Sequence, residues 1–199
     1  LECFTGMPFG AMFLAVKSEP MFFPSPASLD PDKGLDAALE TLGWTCDVWR
    51  GENADEALQQ LQNVLRYGPV LLGPLDMGYL SYDPNHRHKR GGDHFVVVLA
   101  IENDLALLHD PQNYPFATLP TVDLIRAWAA NHLGYAIVPY TLRYGFVEQR
   151  KLKREDTFRK ALEVAKRSML EVPNTEVVKG GSHAFLAVSS LLRQQPSEA

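Results

Sequence analysis

Ten residues, Gly91-Gly92-Asp93-His94-Phe95-Val96-Val97-Val98-Leu99-Ala100, set the strongest constraint on what this chain can fold into. Their β-branched and aromatic run reads as a strand that needs cover on at least one face. Two glycines just before His94 allow close backbone approach and place the imidazole at the mouth of that strand. Leu105 to Leu108 reads as the next strand and leads into His109-Asp110-Pro111. Asn103-Asp104 between them is a two-residue hairpin signal, although it lacks the usual glycine. With Glu102 opposite Leu105, a regular ladder puts His94 opposite Asn113 and Asp110 opposite Val97, three positions out of line. Bringing the two side chains together on one face therefore requires a bulge, a longer turn or extra twist. If they meet, a histidine oriented by a carboxylate is the base half of a Cys-His-Asp hydrolase or acyltransferase site. Asp93 is adjacent to His94 but points to the other face of a strand, and His109 is likewise flipped relative to Asp110.

The rest of the chain reads as helices first and mainly hairpin-connected strands after them. Residues 1–30 hold apolar patches broken by Pro8, Pro20, Pro24 and Pro26, read as a short strand or turn pair and a loop. Asp32 caps a helix from Lys33 to Leu42, and Gly43 stops it. Trp44 to Trp49 reads as a strand with Trp44, Cys46 and Val48 on its buried face. Asn53 or Asp55 caps a helix striped with Ala57, Leu58, Leu61, Val64 and Leu65, ended by Gly68-Pro69. Strand-like runs follow at Val70 to Leu72, Gly78 to Tyr82, Phe95 to Glu102 and Leu105 to Leu108. Thr121 opens a helix with Val122, Leu124, Ile125 and Trp128 inward, and Tyr135 to Pro139 and Tyr144 to Val147 read as final strands. This order describes an α+β class. Lys151 to Leu170 and Ser182 to Leu192 are two amphipathic helices separated by Pro173 and Gly180-Gly181. The organisation expected is an α+β domain over 1–150 and a helical extension over 151–199. The stripe Phe158, Ala161, Leu162, Ala165 and Met169 on the first tail helix must be covered, by Phe185, Leu186, Val188, Leu191 and Leu192, by the main domain, or by a second copy in a homodimer.

Composition narrows the function class. Net charge is −5 from 19 basic and 24 acidic residues, and the longest basic block is His86-Arg87-His88-Lys89-Arg90. Phosphate-backbone binding needs a more concentrated positive surface, so nucleic acid is not an expected partner. No apolar run reaches the ~18 residues of a spanning helix, and the N-terminus lacks a basic-then-apolar signal, so no membrane association is expected. Two distant cysteines make no disulfide framework and fit a reducing cytoplasm.

Gly68-Pro69-Val70, Asp76, Tyr79, Gly92-Asp93-His94-Phe95-Val96-Val97-Val98 and His109-Asp110-Pro111 together resemble the papain-like cysteine peptidase superfamily. The nearer branches are the bacteriocin leader-processing peptidases and the N-terminal domain of the butirosin-biosynthesis acyltransferase family. The resemblance covers roughly residues 5 to 130 and implies a papain-like fold with a central antiparallel sheet. Members of the acyltransferase family also carry a helical C-terminal extension. In that family a cysteine accepts an acyl chain from an acyl carrier protein and passes it to an aminoglycoside amine. The resemblance implies His94 as the family histidine and Asp110 as its orienting carboxylate. It likens Gly6 to Phe13 to the glycine-rich segment after the family's cysteine helix, so the nucleophile is expected upstream of Leu1 or has been lost.

Within the chain, Cys3 is the candidate nucleophile. A catalytic thiolate needs a helix start or an imidazolium beside it, and Gly6, Pro8 and Gly10 oppose a helix there, which favours a structural Cys3. Cys46 reads as buried filler. Asp76, Tyr79 and Tyr82 are candidate substrate-binding residues beside His94; the competing reading makes Asp76 a turn cap and the tyrosines core edges. His86, His88 and His94, with an oxygen from Asp93, could suggest a metal through the H-x-H spacing, but Lys89 and Arg90 oppose a cation, so no metal and no cofactor are expected. The basic loop instead suits an acidic acyl carrier protein, or simply solvent. Three functions follow: a cysteine-dependent acyltransferase or amide or thioester hydrolase using the His94–Asp110 pair, a non-catalytic relative that binds a peptide or small metabolite in the cleft, or a purely structural dimer-forming protein with the C-terminal helices as the contact.

Overall fold

The computed structural model describes residues 11–15, 20–23, 31–134, 137–170 and 174–194. The chain divides into two compact units: Thr45–Val147, and Leu1–Trp44 together with Glu148–Ala199. The N-terminal residues, however, group with the tail and not with the residues that follow them.

The Thr45–Val147 unit is built on a six-stranded sheet. Its strands are β3 (Trp44–Arg50), β4 (Val70–Asp76), β5 (Asp93–Glu102), β6 (Leu105–Asp110), β7 (Tyr114–Pro120) and β8 (Thr141–Glu148), in the order β3-β8-β4-β5-β6-β7. The ladders from β8 through β7 are antiparallel. Helix α2 (Ala54–Leu65) packs on β4 and β5, and α3 (Thr121–Ala129) packs on β4, β6, β7 and α2. Asn53 starts α2 with an extended backbone and accepts from the Glu56 N–H at 2.9 Å, supplying one of the partners a helix start lacks. Ala57, Leu61 and Val64 of α2 and Leu124, Ala127 and Trp128 of α3 close over Val70, Leu72, Val96, Val98, Ala106, Leu108 and Leu119. Trp128 is fully buried, and its indole N–H donates to the Thr141 carbonyl at 2.9 Å.

A one-residue irregularity in β5 sets the geometry of the site. Glu102, Ile101 and Ala100 pair with Leu105, Ala106 and Leu107, but Val98 then pairs with Leu108 and Val97 with His109. Leu99 is the extra residue. Beyond it the ladder has slipped by one, so every β5 side chain toward the strand start changes face relative to β6. Continued, this register sets Val96 opposite Asp110, and His94, two residues from Val96, shares the face of Asp110. The hairpin before the bulge is the two-residue turn expected at Asn103-Asp104, with φ of 49° and 60°. Both non-glycine residues take the left-handed conformation that the tight turn demands.

Several expectations are corrected. Gly78 to Tyr82 is not a strand: Met77–Tyr79 form a 3-10 turn. Tyr114–Pro120 pairs with β6 as β7, a strand hidden in the sequence by Pro115. Residues 137–140 form no strand, and 135–136 lie outside the described residues. Val122 is 55% exposed, and Ala127 takes its place on the inner face of α3. On β3, Trp44 and Val48 are exposed, Cys46 is half-buried, and Trp49 packs against the core. This strand is the sheet edge, so its alternation carries less burial than a central strand's.

The second unit contains a three-stranded sheet, β2-β1-β9, from β1 (Met12–Leu14), β2 (Met21–Phe23) and β9 (Val178–Gly180). Helices α1 (Pro31–Leu42), α4 (Arg154–Leu170) and α5 (Gly181–Gln194) accompany it; α4 packs on α1 and α5, and α5 packs on β1. Ala11, Phe13 and Ala184 form its buried cluster, with Ala187, Val188 and Leu191 against it. Gly181, at φ +51°, lies against the Met169 carbonyl, where a Cβ has no room. The buried face of α4 is Ala161, Val164 and Ala165, while Phe158 and Leu162 are exposed. Phe158 instead lies beneath Arg154, whose ζ carbon is 5.4 Å from the ring centre. Among the described residues no helix is long and apolar enough to cross a membrane.

Candidate functional site

His94 enters β5 directly opposite Leu75, at the point where β4 has its own irregularity between Leu72 and Leu75. Asp110 closes β6. The Leu99 bulge puts both on the inner face, where they are 6% and 3% exposed. His94 Nε2 lies 2.8 Å from Asp110 Oδ1. Asp110 accepts two further hydrogen bonds, from the Tyr82 hydroxyl at Oδ2 (2.7 Å) and from the Gln112 N–H at Oδ1 (2.7 Å).

These bonds fix the chemistry of the pair. Burial pushes the Asp110 carboxyl up, but hydrogen bonds from Tyr82, the Gln112 N–H and His94 together outweigh it and hold it below the ordinary carboxylate value. Asp110 is thus a carboxylate, an acceptor only, and His94 must carry its proton on Nε2. In the neutral ring Nδ1 then holds the lone pair. Burial first, and the Asp110 carboxylate second, hold the Tyr82 phenol protonated far above its ordinary range. Tyr82 is therefore a fixed donor that orients Asp110, with its ring edge-on to Tyr114 at 5.2 Å.

The segment between Tyr82 and His94 is tied down by its own polar groups. Asp83 pairs with Lys89 at 2.6 Å and accepts from the Asn85 N–H at 2.9 Å. The Lys89 ammonium is the larger reason its carboxyl lies below the ordinary value. His86 Nδ1 meets the Asp83 carbonyl at 2.8 Å. Among the described residues no three His, Cys, Asp or Glu side chains gather as metal ligands.

Asp76 and Tyr79 belong to a second cluster. Asp76 is fully buried at the end of β4, opposite Asp93 and so one position past the Leu75–His94 pair. Its Oδ1 accepts from the N–H groups of Gly78 (2.8 Å) and Gly91 (3.0 Å). Its Oδ2 faces His132 Nδ1 at 3.2 Å, within ion-pair reach but off hydrogen-bond geometry. His132 Nε2 meets Arg90 at 2.6 Å, and Arg90 also reaches the Tyr79 hydroxyl at 3.3 Å. Among the described residues no hydrogen bond joins this cluster to His94 or Asp110.

Of the sequence candidates, the structure brings His94, Asp110 and Tyr82 together and puts Asp76 and Tyr79 in a neighbouring network. Cys3 lies outside the described residues. Sequence reasoning missed Gln112, His132 and Arg90 as partners. Gln112 acts through its backbone N–H, which any residue but proline supplies. His132 follows α3 in a stretch without regular structure, where no periodicity marks it.

A Bacillus subtilis (strain 168) protein described as "Uncharacterized protein YobF" is 35% identical to this chain over 136 residues. That stretch is 68% of this chain and 43% of that protein, so the chain spans less than half the length of the relative it matches. No protein-family model matches the chain.

Proposed function

We propose that the Thr45–Val147 unit carries the base half of a papain-like cysteine acyltransferase or amide or thioester hydrolase, nearest in kind to the butirosin-biosynthesis acyltransferase N-terminal domain. The observation that supports this reading is the buried His94–Asp110 pair at 2.8 Å, with Tyr82 and the Gln112 N–H completing the carboxylate. Asp110 fixes the tautomer, and His94 Nδ1 is the basic nitrogen. In the reaction it takes the proton of a cysteine thiol, for which Cys3 is the candidate in this chain. The thiolate attacks the carbonyl carbon of a thioester or amide. As the tetrahedral intermediate collapses, the departing thiol or amine takes the proton from His94. Water or an acceptor amine then attacks the acyl-enzyme, gives its proton to His94, and releases the cysteine. An acyl carrier protein in the cytoplasm is the donor this reading favours, with a homodimer as the assembly.

The test uses the full chain with an S-acyl thioester of N-acetylcysteamine, following released thiol and intact protein mass. Turnover should fall by about 10²–10⁴-fold in His94→Ala, the usual contribution of a general base. Asp110→Asn should fall similarly, and the acyl adduct should map to a cysteine. A wild-type rate equal to that of His94→Ala overturns the catalytic reading. Saturable binding of a peptide or metabolite that survives His94→Ala would then favour the non-catalytic cleft.

A further inference from the structure

Arg90 is an exposed guanidinium held in one place, and among the described residues no carboxylate lies on it. Its stem lies on the backbone of Gly78, where a Cβ would come within 2.9 Å of both its Cα and its Cβ. Its ζ carbon is 5.7 Å from the centre of the Tyr79 ring. One terminal nitrogen serves both the His132 imidazole at 2.6 Å and the Tyr79 hydroxyl oxygen at 3.3 Å. Neither partner is a carboxylate. The nearest acid in the network, Asp76, sits behind His132 and is fully buried. Since the Tyr79 oxygen accepts from Arg90, its own O–H proton has no acceptor among the described residues. The cluster thus shows a charged, fixed fork and a phenolic donor side by side, neither matched by an anion.

We propose that Arg90 and Tyr79 form a binding site for an oxyanion, a carboxylate or phosphate group on a small ligand, with His132 and Asp76 as positioning residues for Arg90. A guanidinium presents planar paired donors that match such groups. Freezing an arginine side chain costs rotamer entropy. Here the Gly78 backbone, the Tyr79 ring and the His132 lone pair bear that cost before the ligand arrives, which is the condition for tight binding by few contacts. The site requires no bond-making step and stands whether or not His94 is catalytic.

The experiment is an NMR titration of the full chain with inorganic phosphate and, separately, acetate, against sodium chloride at matched ionic strength. The Arg90 Nε–H and His132 ring signals should shift saturably with at least one oxyanion, and the one that saturates names the ligand group. The shifts should lose saturation in Arg90→Gln and weaken in Tyr79→Phe, both of which change the surface and leave the core intact. Shifts that grow linearly and match those of chloride, or that persist in Arg90→Gln, overturn the proposal.

Discussion

His94–Asp110 and His132–Asp76 use the same two functional groups at similar spacing, 2.8 and 3.2 Å, yet water reaches them differently. In the first, the side chains are 7% and 3% exposed. In the second, the carboxylate is fully buried but the imidazole is 39% exposed. The carboxylates also use their oxygens differently. Asp110 takes donors from two side chains of the site and one backbone N–H. Asp76 takes two backbone N–H groups, of Gly78 and Gly91, and so holds a turn to a loop. A histidine paired with an acid is therefore not one arrangement: what else the acid holds, and how far water reaches the ring, distinguishes the two pairs.

The largest expected effect in this comparison is that of Asp110→Ala. It strands the His94 N–H, the Tyr82 hydroxyl and the Gln112 N–H in a buried place and should cost about 3–5 kcal/mol. Urea denaturation measures it, and a loss no greater than that of His132→Ala would erase the distinction between the pairs.

Acid unfolding sharpens the comparison next. Asp110 has a folded-state value below the ordinary 3.8, so its contribution is complete above that value and is lost as pH falls through the depressed one. Asp110→Asn should therefore be less stable than wild type at neutral pH, and the gap should narrow below about pH 4. A gap that stays constant with pH would mean Asp110 stabilises by packing and not by charge.

Tyr82→Phe removes one donor and leaves Asp110 two, at a cost of about 1–2 kcal/mol. It should also raise the Asp110 value, read by carboxyl carbon shifts. In the wild type, ultraviolet titration should find one tyrosine that ionises after all the others and is missing in the variant.

The smallest effect is that of His132→Ala. With its ring well exposed, it should cost less than about 1 kcal/mol by thermal or urea unfolding. A larger loss would make His132 a structural partner of Asp76 equal to the two backbone donors.

How much of this could be read from the sequence depends on which physical signal carried it. The α+β class, the caps at Asn53 and the turn at Asn103-Asp104 came from local chemistry and are where the sequence puts them. The nearness of His94 and Asp110 was legible only as a requirement: a regular ladder keeps them apart, and something must slip. Nothing local marks Leu99 as the residue that slips. It lies in an unbroken apolar run, and its place is set by cross-strand packing. Tyr82 was legible as part of the site, but its role as a donor to Asp110 was not, because that depends on where a loop folds back. The groups that hold Asp76 are two backbone N–H groups and a histidine from a distant segment, none of which leaves a periodic trace.

The register of the small sheet has a consequence for synthesis. Met12 pairs with Gly180 and Leu14 with Val178, so β1 waits for a partner near the other end of the chain. Until then β1 has β2 alone, and an isolated two-stranded ribbon is marginal in water. All six strands of the larger sheet will have left the ribosome by then. The order of folding is thus written into the topology: the unit with the His94–Asp110 pair can close during translation, while the other unit must hold Phe13 and its strand edge open until β9 and α5 arrive. A ribosome paused with Glu148 outside its tunnel and Val178 still inside would present the larger sheet complete and the small one incomplete, with the β1 edge as the place for a chaperone to wait.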